Sequence, residues 1–343
     1  MIEKPSYFIS IVLPVYKEEK FIEKCILSIL AQDYPQDKME VIFVDGMSPD
    51  HTRDIINDYA RKYPYIRLID NPQKTVPYAM NKGILASKGD VIVRLDGHCV
   101  YPHNYVSILV KYLYELGADN VGGVWKTLPA NDTPQCVSIA LCSSHPFGVG
   151  GSEHKIGSRE IKQTDTVPFG CFRRDVFDRI GLFDEELIRN QDDEFNARII
   201  KNGGKIYIIP ELEINYTSRD NIHKMRRMYY QYGLFKPLVN KKLGAPATIR
   251  QFFPGLFVIG LVLGLILSFF SRFILYFYIA VLALYLLIGF LIGVKKAIEY
   301  RKPALIWYMP YTFFNIHISY GIGYLYGIYK VVRNQKFHVH TNR

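Results

Sequence analysis

Short apolar runs of strand length alternate with stretches of helical periodicity over the first hundred residues, and this alternation predicts the architecture. ISIVLPV (Ile9–Val15) reads as a buried strand stopped at Pro14, and Phe21, Ile22, Cys25, Ile26, Ile29 and Leu30 then recur at helical spacing within residues 17–32. MEVIFVDG (39–46) is a second buried strand, residues 50–63 a second amphipathic helix, YIRLID a third strand, residues 77–87 a helix and DVIVRLDG (90–97) a fourth strand. Strands that are apolar throughout, separated by helices of this length, imply an α/β domain with a mostly parallel sheet and helices on both faces. Such sheets place ligands at the carboxyl ends of their strands, here residues 16–19, 45–50 and 96–98.

Residues 135–166 are rich in Gly, Ser and His with weak periodicity and read as loop carrying one helix. VPFGCF, a helix from Arg174, a helix closed by Gly203, the strand KIYIIP and a basic, aromatic helix over 223–236 follow. After Arg250 the pattern changes. Residues 252–271 are uncharged, Arg272 interrupts, 273–294 are again uncharged, and 303–329 form a third uncharged run containing Pro310, Asn315 and His317. Each run is long enough to cross a hydrocarbon core of about 30 Å. The expected organisation is therefore a catalytic domain over 1–240 and a membrane domain over 241–343, with spans at 252–271, 273–294 and 303–329. A third span carries a conflict. It places Lys330, Arg333, Lys336 and Arg343 opposite the Lys295–Lys302 cluster, against the positive-inside rule, unless the segment re-enters.

Charge sharpens this picture. Residues 251–343 hold nine Lys or Arg and one acid, Glu299, whereas residues 1–250 hold 33 basic and 31 acidic residues. A basic excess confined to the neighbourhood of apolar runs is a membrane-protein pattern and argues against a nucleic-acid partner. Five cysteines with no close C-x-x-C pair read as reduced thiols, and the N-terminus lacks a signal-peptide pattern. Both point to a first domain that stays on the cytoplasmic side of a cell membrane.

Three acidic groups carry candidate chemistry. Asp45 ends a buried strand too early to cap the following helix, a role that suits Asp50 better; a carboxylate there accepts hydrogen bonds from a base or a ribose hydroxyl pair. Asp96-Gly97-His98 closes the fourth strand with a carboxylate and an imidazole that can both hold a divalent metal of the Mn or Mg type. Gln191-Asp192-Asp193-Glu194 opens a helix with three carboxylates, where compensation of the helix dipole needs only one.

The ordered series ISIVLPVYKEE, VIFVDGMSPDHT, YAMNKGILASKGDVIVRLDGHCVYP and VPFGCFRRDVFDRIGLFDEELIRNQDDEFNARI resembles family 2 glycosyltransferases of the GT-A fold. Within them it is most similar to membrane-anchored enzymes of succinoglycan-type exopolysaccharide biosynthesis. The resemblance implies inverting transfer of a sugar from a nucleotide-diphosphate sugar, with UDP the expected nucleotide, to a polyprenyl-linked acceptor. It implies that Pro14, Tyr16, Glu18, Asp45 and Asp96 bind the nucleotide sugar, that Asp96 and His98 stand where the family keeps its metal-binding Asp-x-Asp, and that Asp192 is the catalytic base with Asp193 as fallback. Gly170, Gln191, Arg226 and Lys236 fall to the acceptor side; Arg226 and Lys236 also suit anionic lipid head groups. His98 replaces the usual second Asp, and Gln191 the Glu before the base. The Gln-x-x-Arg-Trp motif of processive synthases is absent, since Gln231 is followed by Tyr-Gly-Leu-Phe, so one transfer per encounter is expected. The rivals are a polyprenyl-phosphate glycosyltransferase and a catalytically silent nucleotide-sugar-binding membrane scaffold.

Overall fold

The computed structural model of the chain describes residues 7–337, which pack as two units: residues 7–126 with 157–215, and residues 127–156 with 216–337. In the first, β1 Ile9–Val15, α1 Ile22–Leu30, β2 Met39–Asp45, α2 Thr52–Lys62, β3 Ile66–Asp70, α3 Val76–Ala86 and β4 Val91–Arg94 follow the predicted alternation. Next come α4 Tyr105–Glu115 and β5 Asn120–Leu128. The chain then enters the second unit for α5 Pro134–Ser143, α6 Pro146–Val149 and α7 Glu153–Ile156, and returns as β6 Lys162–Gln163, β7 Cys171–Arg173, α8 Arg174–Ile180, α9 Gln191–Lys201 and β8 Ile206–Thr217.

The sheet order is β3-β2-β1-β4-β7-β5-β8-β6. β1 pairs in parallel with β2 and β4, and β2 with β3, while β7 runs antiparallel to both β4 and β5. Alternate residues serve opposite faces. Ile9, Ile11 and Leu13 of β1 pack with Cys25, Ile26 and Ile56 and with Leu109 of α4; Val12 and Ile42 pack with Met80 and Ile84 of α3 and Phe195 and Ile199 of α9. With both faces covered, every position of β1 except Pro14 is buried, which is why the strand reads as one apolar run.

Residues 135–166 hold three short helices where one was expected. The weak periodicity there has a simple cause: Cys136, Val137, Ser138, Ile139, Ala140 and Cys142 of α5 are all buried, so the helix has no polar face to alternate with.

Asp119, just before β5, is an ionic anchor of this unit. Its carboxylate accepts from Arg173 at 2.9 Å, from Arg179 and from the Lys205 N–H at 2.8 Å. Burial pushes its pKa up, but the Lys205 N–H and the two guanidinium groups outweigh this and hold it below the ordinary carboxylate range. The stabilisation is therefore present above about pH 4 and lost as pH falls through the depressed folded value. Asp119→Asn should lower the unfolding free energy by about 2 kcal/mol at neutral pH, since both arginines are partly solvated. Denaturant melts at pH 7 and pH 3 check this: the gap between wild type and variant should shrink at the lower pH.

The second unit is built on α10 Ile222–Leu243, α11 Phe253–Ser268, α12 Arg272–Glu299 and α13 Leu305–Val332. Helix α10 runs past the predicted stop and through Pro237. Proline ordinarily breaks a helix by removing a hydrogen bond and clashing one turn back; here its ring is packed over Gly327 of α13, so tertiary contact overrides the local signal. Among the described residues two helices are long and apolar enough to cross a membrane, Ile249–Ser268 and Arg272–Glu299.

Candidate active site

The parallel register aligns the carboxyl ends of β2, β1 and β4. Asp45 lies level with Val15, and Val12 with Arg94, which puts Asp96 level with Pro14. Strands are spaced by about 4.8 Å, so Asp45 and Asp96, on either side of β1, are about 10 Å apart along the rim. Tyr16 follows β1 between them, and its side chain closely approaches Gly46, where a Cβ would press on the ring.

Two loops are stitched together at this rim. Lys17 N–H donates to Ser48 Oγ at 2.9 Å, Glu18 N–H to Thr52 Oγ1 at 2.8 Å, and His51 N–H to Glu19 Oε2 at 3.2 Å. Asp50 stands one residue ahead of the α2 N-cap, His51, and accepts from the Thr52 N–H and hydroxyl at the first turn. Burial raises its pKa, yet the hydrogen bonds from Thr52 and from the Glu19 N–H prevail and hold it below the ordinary value.

Asp45 is fully buried and accepts from the Ser48 N–H at 2.9 Å, the Ser48 hydroxyl at 2.5 Å and Arg53 Nη1 at 2.7 Å. Arg53 also reaches Asp70 at 2.7 Å, bridging the ends of β2 and β3. This arginine escaped sequence inspection; its helical position eight residues past Asp45 was the available signal. Arg94, buried at the end of β4 with Nη2 3.4 Å from Asp96 Oδ1, is a second residue missed, hidden because it sits in an otherwise apolar strand.

His98 Nδ1 lies 3.3 Å from Glu18 Oε1, and Glu18 is almost entirely buried. A neutral imidazole whose Nδ1–H donates to a carboxylate presents its lone pair on Nε2, and this carboxylate–histidine pairing is the usual support of a metal-bound histidine. Glu18, expected to line the nucleotide pocket, is the acidic partner of His98. Among the described residues no group of three or more His, Cys, Asp or Glu side chains has metal-ligand spacing. Asp96 and His98 suit a hard divalent ion that takes two protein ligands and completes its shell with diphosphate oxygens and water, as Mg and Mn do.

The rim on which Asp192 lies follows from where α9 ends. Lys205, four residues past the helix, accepts the Asp119 N–H at its carbonyl and donates its own N–H to the Asp119 carboxylate, and Asp119 immediately precedes β5. Because β4 and β5 both run antiparallel to β7, β5 starts at the rim where β4 starts. Helix α9 therefore ends at the amino rim, and its rise of about 16 Å carries Gln191, Asp192 and Asp193 to the carboxyl rim. The loop before it is clasped by Asn81 of α3, which donates to the Phe183 carbonyl at 2.9 Å and accepts the Phe183 N–H at 3.0 Å. At the first turn Glu194 is neutralised by Arg198 through two hydrogen bonds of 2.9 and 2.8 Å, and Asp193 N–H donates to Asp192 Oδ1 at 3.0 Å.

Gly170 sits beside Arg94, whose N–H donates to its carbonyl at 2.9 Å. Its φ of 82° and the Phe172 ring behind it demand glycine. Backbone strain gathers at this same rim: of the seven non-glycine residues with positive φ among the described residues, Lys17, Met47, Lys74, Phe169 and Asn190 all lie in its loops. Such conformations cost about 1–3 kcal/mol each and cluster at functional sites. Pro14, Tyr16, Glu18, Asp45, Asp96, His98, Gly170, Gln191, Asp192 and Asp193 belong to the first unit; Arg226, exposed, and Lys236, half-buried, belong to α10 of the second.

The signature of glycosyl transferase family 2 matches residues 10–181, half of the chain. The chain belongs to this family. It is 29% identical over 243 residues to a dolichyl N-acetyl-alpha-D-glucosaminyl phosphate 3-beta-D-2,3-diacetamido-2,3-dideoxy-beta-D-glucuronosyltransferase of Methanococcus voltae, covering 68% of this chain and 74% of that protein. It is 28% identical over 246 residues to the succinoglycan biosynthesis protein ExoA of Rhizobium meliloti, covering 71% and 73%. The fold is shared with the mannosyltransferase PcManGT from Pyrobaculum calidifontis, solved with GDP-Man and Mn2+, at a TM-score of 0.59 and 19% identity over 93% of this chain and 87% of that one.

Proposed function

We propose that this family 2 glycosyltransferase moves a single sugar, with inversion, from a nucleotide-diphosphate sugar to a polyprenyl-linked acceptor at a membrane. The observation that carries the proposal is the gathering of Asp45, Asp96, His98 and the start of α9 on one rim of the sheet. Asp45, held by Ser48 and Arg53, would orient the nucleoside through its ribose or base. Pro14 and Tyr16 would line the pocket between Asp45 and Asp96. Asp96 and His98 would hold a divalent metal, which when bound supplies positive charge against the diphosphate. Arg94 and Glu18 fix the orientation of those two side chains.

The acceptor hydroxyl is a poor nucleophile until its proton is removed as the bond forms. Asp192 would take that proton from the face opposite the leaving diphosphate, which inverts the anomeric carbon. Gln191 beside it and Gly170 at the start of β7 would border the acceptor. Arg226 and Lys236 would meet its phosphates or the surrounding head groups. Two apolar helices support membrane association, and the chain is proposed to cross the bilayer more than once with its catalytic unit facing the cytoplasm. The Methanococcus voltae relative, named for a dolichyl-linked saccharide substrate, supports a lipid-linked acceptor over bare lipid phosphate.

The test is transfer of radiolabel from a panel of nucleotide sugars, UDP- and GDP-linked included, by membranes given either polyprenyl phosphate or a preloaded polyprenyl-linked saccharide. Label should enter only the preloaded lipid. Label on bare phosphate would move the reading to a polyprenyl-phosphate glycosyltransferase, and no transfer with any donor would favour the scaffold.

A further inference from the structure

We infer that only the α11–α12 hairpin crosses the bilayer, and that α13 does not span it but lies with α10 on the side from which the hairpin enters. The inference rests on the membrane association proposed above.

The fate of α13 is tied to α10. A side chain at Gly323 would strike the Tyr230 carbonyl, one at Gly327 the Leu234 carbonyl, and Lys241 donates to Asn334 at 3.0 Å. The partners of these three contacts are each 93 positions apart, so the helices run parallel, backbone against backbone. That register lays α10, from Ile222 onward, along α13 from residue 315 to its end. Helix α10 exposes Lys224, Arg226, Arg227, Lys241 and Lys242. Each would cost about 2.5–3.5 kcal/mol at the centre of a hydrocarbon core, and carrying all of them there is prohibitive. Residues 305–314 remain, a rise of about 15 Å against a core of about 30 Å. They too are occupied by protein: Thr312 exchanges a 2.7 Å hydrogen bond with Ser138 of α5, and Cys142 of α5 donates to the Met309 carbonyl.

The hairpin is the opposite case. Helices α11 and α12 pack antiparallel through Phe257 on Tyr285, with ring centroids 4.7 Å apart, and Gly264 against the Tyr278 ring. No residue from 256 to 288 is buried, and Phe269, Phe270 and Phe273 at the tip are about four-fifths exposed. Arg250, Arg272 and Lys295 bound two uncharged runs, and the helical segments Ile249–Ser268 and Arg272–Glu299 rise about 30 and about 42 Å, enough to cross the hydrocarbon core. Contacts with α13 gather at the base, where Gly293 meets Leu305 and Ile306, Gly289 meets Pro310, and Gly321 meets Pro254.

This arrangement removes the charge conflict that a third span creates. Arg250, Lys295, Lys296, Arg301, Lys302, Lys330, Arg333, Lys336 and the cations of α10 all fall on one side, facing anionic head groups, and Arg272 alone among them falls on the other. Arg343 lies outside the described residues.

The five native cysteines are buried, so introduced ones report topology. Full-length S271C at the tip and Q335C past α13 are labelled with a membrane-impermeant maleimide in sealed vesicles of both orientations. The expected result is labelling from opposite faces, with Cys labelling at 335 lost wherever that at 271 appears. Labelling of both from the same face would establish a third span and overturn the inference. Labelling of both in either vesicle orientation would also overturn it, because the hairpin would then be packed on protein, such as a second copy, outside the bilayer. F270C and K336C repeat the measurement if either first variant misfolds. Sugar transfer by the same vesicles reads the catalytic proposal separately, since labelling does not depend on activity.

Discussion

Asp192→Asn should slow transfer by about 10²–10⁴-fold, the usual contribution of a positioned general base, while leaving donor affinity unchanged. That corresponds to about 3–5 kcal/mol of lost transition-state stabilisation. The amide keeps the size of the carboxylate and its place at the first turn of α9, so the fold is preserved, but it cannot take the acceptor proton. The proposed donor-side residues Asp45, Asp96 and His98 lie at and beyond the ends of β2 and β4, away from α9, so donor binding should lose nothing. Single-turnover transfer and nucleotide-sugar titration, run side by side, separate the two quantities. Asp193→Asn is the control. Its N–H, which donates to Asp192, survives the change, so a small loss is expected. A loss confined to the Asp193 variant would move the base by one residue, and full activity in both would leave the scaffold as the better account.

Chelation should abolish transfer, and added Mn or Mg should restore it. The more discriminating variant is Glu18→Gln, which leaves Asp96 and His98 in place but removes the carboxylate behind the imidazole. Loss of such a supporting carboxylate weakens metal affinity by about 10–100-fold. The variant should therefore need that much more Mn for half-maximal transfer and regain near-normal rates at saturation. Asp96→Ala, which removes a proposed ligand outright, should not be rescued. Undiminished transfer in EDTA would sink the roles assigned to Asp96 and His98. A Glu18 variant dead at every Mn concentration would instead place Glu18 against the donor, as its motif position suggests.

The strand ends that carry the candidate site are legible in the sequence because carboxyl ends of parallel strands are marked by the residue that stops each apolar run. Asp45 and Asp96 were found that way, and both stand at the expected ends. What supports them was not legible. Arg53 meets Asp45 across a turn, Arg94 lies in a buried strand, and Glu18 and His98 are eighty positions apart; only packing reveals these pairs. Asn81 lies in the motif YAMNKG, but its clasp on Phe183 spans 102 positions and has no local signature.

The chain's own pattern settled the alternation of buried strands and amphipathic helices, the sheet edge that gathers the polar groups, and the two apolar helices, because strand burial, helix periodicity and span length are local properties with local signatures. Tertiary structure alone decided that the antiparallel β7 continues the sheet and that α9 begins on the same rim as Asp96, since both depend on pairing between distant segments. It also decided the company α13 keeps. Hydropathy measures what a helix would prefer to touch, whereas the glycines of α13 admit the backbone of a charged helix, and that contact outweighs the preference.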